Sequence, residues 1–215
     1  MAVHAAEIEM KIVALASGGV DSSVMMLLLK KQNHGIFPLF IDYGQLSREK
    51  EWIACQSICR HLDLEPHRID ISGFGQSIKS GITDSTLDIE EKAFLPTRNL
   101  LFLTLAAAYG HTKSVNVIAI GLLSNPIFPD QTKEFIRNAR RAISLSLGAE
   151  IEILAPAISL NKLDTLGLAR KYGLPLDLTY SCHSGNSEPC GRCISCKERI
   201  SAERQLDGKQ TATNS

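Results

Sequence analysis

Leu15-Ala16-Ser17-Gly18-Gly19-Val20-Asp21-Ser22-Ser23 joins the apolar run Lys11 to Ala16 to an apolar helical pattern that starts at Val24. Two adjacent glycines let the chain turn tightly from strand to helix and approach a ligand closely, so several backbone N–H groups can converge at a helix N-terminus. Such a concavity suits a multiply charged anion. Ser17, Ser22 and Ser23 add hydroxyl donors, and the carboxylate of Asp21 in the first helical turn can hold the Mg²⁺ that accompanies a phosphate chain. Neither Gly-x-x-x-x-Gly-Lys-Ser/Thr nor Gly-x-Gly-x-x-Gly occurs, which excludes two common phosphate loops.

From that corner to about residue 175, strand-like and helix-like patterns alternate, the signature of a parallel sheet with helices on both faces. The spacing predicts strands near 11–16, 36–42, 66–71, 115–120 and 151–154. Helices are predicted near 22–33, 47–63, 97–110, 131–147 and 161–172. Ser47 with Glu49, and Asn161 with Asp164, mark helix starts, and Gly173 followed by Pro175 marks a stop. The fold class is α/β, a doubly wound parallel five-stranded sheet.

In such a sheet the ligand lies across the carboxyl ends of the strands, so the residues that follow each strand form the candidate site. After the second strand, the backbone near Phe40 and Ile41 would meet an adenine, with Tyr43 and Gln45 closing its edge. Arg98, at a helix start, can grip a phosphate or carboxylate with its planar fork, and Asn99 follows it. Gly121 ends the fourth strand and leads into the irregular stretch Leu122 to Asp130, a natural place for substrate recognition. There Phe128 can stack on a flat ring and Asp130 can accept a hydrogen bond. Lys162, at the next helix start, can bring a positive charge toward the phosphates. The aperiodic stretch Ser72 to Lys92 reads as an active-site cover. Trp52, Cys55, Cys59 and Leu62 share one helical face, so these two cysteines read as core residues.

Twenty-three Lys and Arg balance twenty-three Asp and Glu, so no net positive field draws the chain to nucleic acid or to anionic lipid. Met1 to Met10 lacks a leader pattern, and apolar runs such as Leu100 to Tyr109 are too short to cross a bilayer. These features predict a cytoplasmic protein with no membrane partner. In that compartment cysteines serve metal binding or packing, and four of the six fall in Cys182-x7-Cys190-x2-Cys193-x2-Cys196, with Pro189 and Gly191 supplying turns. Four thiolates at this spacing fit a closed tetrahedral site holding one structural zinc per chain, while an iron–sulfur cluster, which needs the same ligands, is the rival. The expected organisation is an α/β domain over residues 1–175, a small zinc-binding appendage over 176–204 and a disordered tail over 205–215.

Ser-Gly-Gly-Val-Asp-Ser resembles the pyrophosphate loop of the ATP pyrophosphatase superfamily, whose sheet is of the adenine nucleotide alpha hydrolase type. Asp42-Tyr43-Gly44-Gln45, Pro96-Thr97-Arg98-Asn99, Gly121, Pro129-Asp130 and the cysteine quartet follow in one order. Together these motifs resemble the 7-cyano-7-deazaguanine synthase family from about residue 11 to 200. That resemblance implies an ATP-dependent carbon–nitrogen ligase that uses ammonia to convert 7-carboxy-7-deazaguanine to the nitrile preQ0, a queuosine precursor, releasing AMP and pyrophosphate. It implies that ATP is bound by Leu15, Ala16, Ser17, Gly18, Gly19, Val20, Asp21, Ser22, Ser23, Val24 and Met25, with Phe40, Tyr43 and Gln45. Asp21, Arg98 and Lys162 are then the catalytic candidates, Asn99, Gly121, Phe128 and Asp130 the substrate candidates, and a homodimer the expected assembly. The chain departs from the family pattern at Thr97, where glycine is usual, at Leu122 to Phe128, and at Tyr180, where tryptophan is usual. These departures leave a second reading, a paralogue that adenylates another carboxylate or passes the acyl group to another amine. A zinc-dependent nucleic-acid-binding module is a third.

Overall fold

The computed structural model describes residues 9–213. Residues 1–8 of the stretch read for a leader, and the last two of the expected tail, lie outside the described residues. Five strands, β1 (Lys11–Leu15), β2 (Gly35–Asp42), β3 (His67–Asp70), β4 (Val117–Ala119) and β5 (Glu152–Leu154), pair in parallel in the order β3-β2-β1-β4-β5. The helices are α1 (Val20–Lys31), α2 (Arg48–His61), α3 (Gly73–Ser77), α4 (Arg98–Thr112), α5 (Lys133–Leu147), α6 (Lys162–Lys171) and α7 (Ile194–Thr213).

β1 is central, and its Ile12, Val13, Ala14 and Leu15 are all buried, as a strand covered on both faces requires. Alternate residues feed two cores. Ile12 and Ala14 pack with Met25, Met26 and Leu29 of α1, Ile58 of α2 and Leu166 of α6. Val13 and Leu15 pack on the other face with Leu103 and Ala106 of α4 and Ile143 of α5. Cys55 and Cys59 are buried in the first core, as their helical spacing predicts. The chain builds outward from β1 to β2 and β3, then crosses back to add β4 and β5. The order therefore reverses between β1 and β4, and a crevice opens at their carboxyl ends.

The structure departs from the sequence expectations in three places. The stretch after β3 holds the short helix α3 and then turns pinned by aspartates: Thr86 N–H donates to Asp84, and Glu90 and Glu91 N–H donate to Asp88. Its Ile89 is buried against Cys182, Cys193 and Cys196, so this cover lies over the cysteine cluster. Second, Ser47 precedes α2 but makes no cap; its hydroxyl donates to Glu51 at 2.7 Å. Third, the expected disordered tail is helical, because α7 runs to Thr213. Ala202 is buried in the first core and Leu206, one helical turn further on, packs against it. That burial supplies the tertiary support a polar helix lacks alone. Arg199 ties α7 to the preceding segment through Thr179 Oγ1 at 3.0 Å and Leu176 O at 3.0 Å.

Candidate active site

The crevice is a cavity of about 270 Å³ lined by the β1–α1 loop, the end of β2, the start of α4, the segment after β4, and residues from Tyr180 to Glu198. Gly18 takes φ +78°, and a β-carbon there would stand 2.5 Å from Glu51 O and 2.6 Å from Cys55 N. Only glycine allows the loop to lie this close to α2. Gly19 caps α1 with its carbonyl, which accepts from the Ser22 and Ser23 hydroxyls at 3.1 and 2.7 Å. Ser17 N–H donates to Ser22 Oγ at 3.3 Å. These bonds fix the loop, and Val20, Asp21 and Ser22, whose N–H groups at the start of α1 have no intrahelical partner, line the cavity.

Asp21 does not stand alone. Lys162 Nζ, at the start of α6, donates to both its carboxylate oxygens, at 2.7 and 2.6 Å. Asn161 sets that helix start through a reciprocal capping box with Asp164. Glu198 of α7 lies 4.0 Å from the same ammonium; burial raises its pKa, the Lys162 charge lowers it and Asp21 raises it.

At the end of β2, Phe40, Ile41 and Tyr43 line the cavity. Gln45 is buried and commits its amide locally: its carbonyl accepts from Tyr43 N–H at 2.9 Å and its Nε2 donates to Glu51 at 2.9 Å. Burial raises the pKa of Glu51 and lifts that of Tyr43 to about 12, against the nearby Arg98 charge, which lowers both. Arg98 sits 5.9 Å from the Tyr43 ring centroid and 6.0 Å from that of Phe102.

Thr97, which sets the entry to α4, has φ +62° and gives no side-chain cap. A β-branched residue in the left-handed region is strained. Thr97→Gly is therefore expected to stabilise the protein by about 1 kcal/mol and to raise Tm by about 2–4 °C in a thermal melt. An unchanged or lower Tm would show that this backbone carries no strain.

The opposite wall is apolar. Leu122, Ile127, Phe128 and Ile194 line it, with Phe128 against Phe94 at 5.1 Å between ring centroids. Asn99 Nδ2 donates to Asp130 O at 3.0 Å, and Asp130 Oδ2 accepts Asn99 N–H at 3.3 Å, so the pair locks the segment after β4 to the start of α4. Gly121 lets the end of β4 pass α1, since a β-carbon there would lie 3.0 Å from Ser22 N.

The cysteine segment completes the cavity. Tyr180 N–H donates to Gly18 O at 3.0 Å, bracing the β1–α1 loop. Ser181 and His183 line the cavity, while Cys182 between them turns to the other side, where the sulfurs of Cys182, Cys190, Cys193 and Cys196 all lie within 4.8 Å of one another. Four thiolates this close can hold a metal ion. Burial pushes the pKa of His183 down to about 4, helped by the charges of Arg98 and Lys162.

The family model described as queuosine biosynthesis protein QueC matches residues 11–206. The chain belongs to the QueC family. Within it, the 7-cyano-7-deazaguanine synthase of Nautilia profundicola is 34% identical over 203 residues, spanning 88% of this chain and 91% of that protein. The synthase of Prochlorococcus marinus is 34% identical over 218 residues, 92% of this chain and 96% of that one. The fold of this QueC-family chain is similar to NMN synthetase from Francisella tularensis, with TM-score 0.56 and 15% identity over 93% of this chain and 77% of that one. It is also similar to NH3-dependent NAD synthetase from Campylobacter jejuni, with TM-score 0.51 and 18% identity over 95% of this chain and 77% of that one. At such identities the likeness is one of fold.

Among the residues expected from sequence in this QueC-family chain, Leu15, Ala16, Ser17, Gly19, Val20, Asp21, Ser22, Phe40, Tyr43 and Gln45 line the cavity, as do Arg98, Asn99, Gly121 and Phe128. Gly18 faces α2, Val24 and Met25 are fully buried in the core, and the Ser23 hydroxyl is spent on Gly19 O. Asp130 braces α4, and Lys162 meets the site through Asp21. Sequence reasoning missed Glu51, Ser181, His183 and Glu198. Two of them, Ser181 and His183, flank Cys182 of the cysteine cluster, and that adjacency was the signal in the sequence.

Proposed function

We propose that the chain is an ATP-dependent 7-cyano-7-deazaguanine synthase that converts 7-carboxy-7-deazaguanine to preQ0 for queuosine biosynthesis, using ammonia and two ATP. The observation that carries this reading is the continuity of one cavity from the anion loop at α1, past Arg98, to the flat apolar wall at Phe128. Such a cavity puts a nucleotide α-phosphate beside an aromatic acid. The names of the relatives at 34% identity support the same substrate.

In this mechanism a carboxylate oxygen of the substrate attacks the α-phosphorus, and the bond to the β-phosphate oxygen breaks. The N–H groups of Val20 to Ser22 and the Lys162 ammonium take up charge on departing pyrophosphate, while Arg98 offsets charge on the transferring group. Ammonia then attacks the acyl carbon of the adenylate; AMP leaves with the carbon–oxygen bond pair, and a proton is lost to give the primary amide. After nucleotide exchange the amide oxygen attacks a second α-phosphorus. Loss of AMP and the remaining amide protons yields the nitrile.

Asp21, with Glu198 on the far side of Lys162, offers hard carboxylate oxygens suited to the magnesium ion that would neutralise the phosphates when bound. Sulfurs within 4.8 Å of one another fit a single zinc, for which thiolates stand about 3.8 Å apart at Zn–S bonds of about 2.3 Å. A cubane, with its cysteines on separate irons, needs a wider cage. The four ligands leave no open position, so the zinc would be structural. The homodimer rests on family resemblance and the cytoplasmic setting on the sequence pattern; among the described residues no helix is long and apolar enough to cross a membrane.

Mass spectrometry after incubation with 7-carboxy-7-deazaguanine, ATP and ammonium tests this reading. A product lighter than the acid by the difference between a carboxyl and a nitrile, with AMP and pyrophosphate, is expected. Unchanged acid would remove it. The departure from the family pattern at Leu122 to Phe128 favours one second reading, a synthase acting on a different flat carboxylate, and pyrophosphate release with another acid alone would establish that instead.

A further inference from the structure

Gln45 is 1% exposed, and the two ends of its side-chain amide need partners of opposite kind. Its Oε1 accepts Tyr43 N–H at 2.9 Å, and its Nε2 donates to Glu51 Oε2 at 2.9 Å. Tyr43 N–H can only donate and an ionised carboxylate can only accept, so these two partners together decide which way the amide points. Nε2 also reaches Ile41 O, at 3.4 Å, which is long for such a bond. With Glu51 gone, that weak contact would be what is left to orient the amide.

Glu51 is itself engaged within the protein. Its other carboxylate oxygen accepts from the Ser47 hydroxyl at 2.7 Å. Burial raises its pKa, and the hydrogen bonds from Gln45 and Ser47 lower it. A carboxylate with both oxygens taken up in this way acts on its neighbours rather than by touching a ligand. Those neighbours border the cavity: Tyr43 and Gln45 line it just past the end of β2, where the base of a nucleotide would lie. The rest of the turn is already pinned, with Gly44 N–H donating to Asp42 Oδ1 at 3.0 Å and Gly75 N–H to Tyr43 O at 2.9 Å. The main chain of Glu51 also lies against the β1–α1 loop, since a β-carbon on Gly18 would stand 2.5 Å from Glu51 O. One residue of α2 thus adjoins both parts of the wall that a nucleotide would meet.

We propose that Glu51 is a positioning residue for the nucleotide: through Gln45 it holds the Tyr43 turn in the shape that receives the base of ATP. This rests on the ATP-dependent reading above and concerns the nucleotide rather than the acid. A wall already held in its binding shape has less ordering to undergo when the ligand arrives.

The test compares wild type with Glu51→Ala, Glu51→Gln, Gln45→Met and the double variant of Glu51→Ala with Gln45→Met. Titration calorimetry gives the Kd of ATP, and steady-state pyrophosphate release with 7-carboxy-7-deazaguanine gives KM for ATP and for the acid. Glu51→Ala is expected to raise Kd and KM for ATP about 5- to 20-fold and to leave the acid KM within about twofold. Glu51→Gln can accept from Gln45 through its oxygen and donate to the Ser47 hydroxyl through its amide, so it should stay within about threefold of wild type. Gln45→Met cuts the same link at similar volume and should match Glu51→Ala; it carries the test with Glu51→Gln if the alanine variant fails to fold. The double variant should be no more than about twofold worse than either single one, because both remove one connection. ATP affinity unchanged in Glu51→Ala, ATP and acid affinities falling together, Glu51→Gln as impaired as Glu51→Ala, or fully additive effects in the double variant would each overturn the assignment. Wild type that binds ATP without converting the acid would remove the acceptor named above and leave the calorimetric test of Glu51 in force. Wild type that converts the acid with an indifferent Glu51 would remove this role alone.

Discussion

Lys162→Ala is expected to lower kcat for pyrophosphate release about 10²- to 10³-fold. The ammonium lies 2.7 and 2.6 Å from the Asp21 oxygens, its side chain 12% exposed and that of Asp21 30%. A cation fixed in that position needs no reorganisation as negative charge builds on the leaving phosphates, and the half-enclosed crevice screens it less than water does. Alanine removes that charge and the ion pair that positions the Asp21 carboxylate beside the phosphates. Both effects act on the transition state, so kcat should fall more than KM for ATP rises. Stability should change little, because Asp21 keeps access to water; a Tm drop within about 4 °C corresponds to about 1 kcal/mol for a chain of this size. Steady-state kinetics and a melt on the same preparation separate these outcomes. A kcat within threefold of wild type would leave Lys162 a structural partner of Asp21 and no more.

The second large effect is expected on losing the metal. Cys193→Ala, or removal of metal by a chelator, should lower Tm by more than about 10 °C and reduce pyrophosphate release more than about 10²-fold. Cys193 is buried, and with Cys182 and Cys196 it forms a small core closed by Ile89. Beyond those residues the segment has little apolar material, so a metal held by the four sulfurs would supply much of what keeps it folded. The same segment braces Gly18 through Tyr180 N–H and sends Ser181, His183 and Glu198 into the cavity. Its loss would open the wall of the site as well as the fold beneath it. Metal analysis, melting and activity on matched samples check this. Protein with under a tenth of its metal that melts and turns over like the starting material would refute it.

Much of this molecule is legible in the chain because local chemistry forces it. An apolar pentapeptide running into Ser17-Gly18-Gly19 and then an apolar helix has few ways to fold, and β1, the loop and α1 appear where the pattern predicts. Alternating patterns gave the five strands, and Asn161 with Asp164 gave a capping box. The cysteine spacing gave a cluster of four sulfurs.

The sequence by itself determined the α/β order, the glycine turn between β1 and α1 and the four-cysteine cluster, since each is encoded in residues close together along the chain. Which polar groups remain free for a ligand was decided by tertiary contacts between distant segments. Asn99 and Asp130, both attractive as substrate contacts, satisfy each other over 31 positions. Asp21 and Lys162 meet over 141. Ala202 and Leu206 turn an apparently polar tail into a docked helix, and Cys182 is buried in the sulfur cluster while its neighbours Ser181 and His183 line the cavity. A side chain's hydrogen-bonding capacity is written in its type; whether the protein has already used it depends on which partners folding brings within about 3 Å.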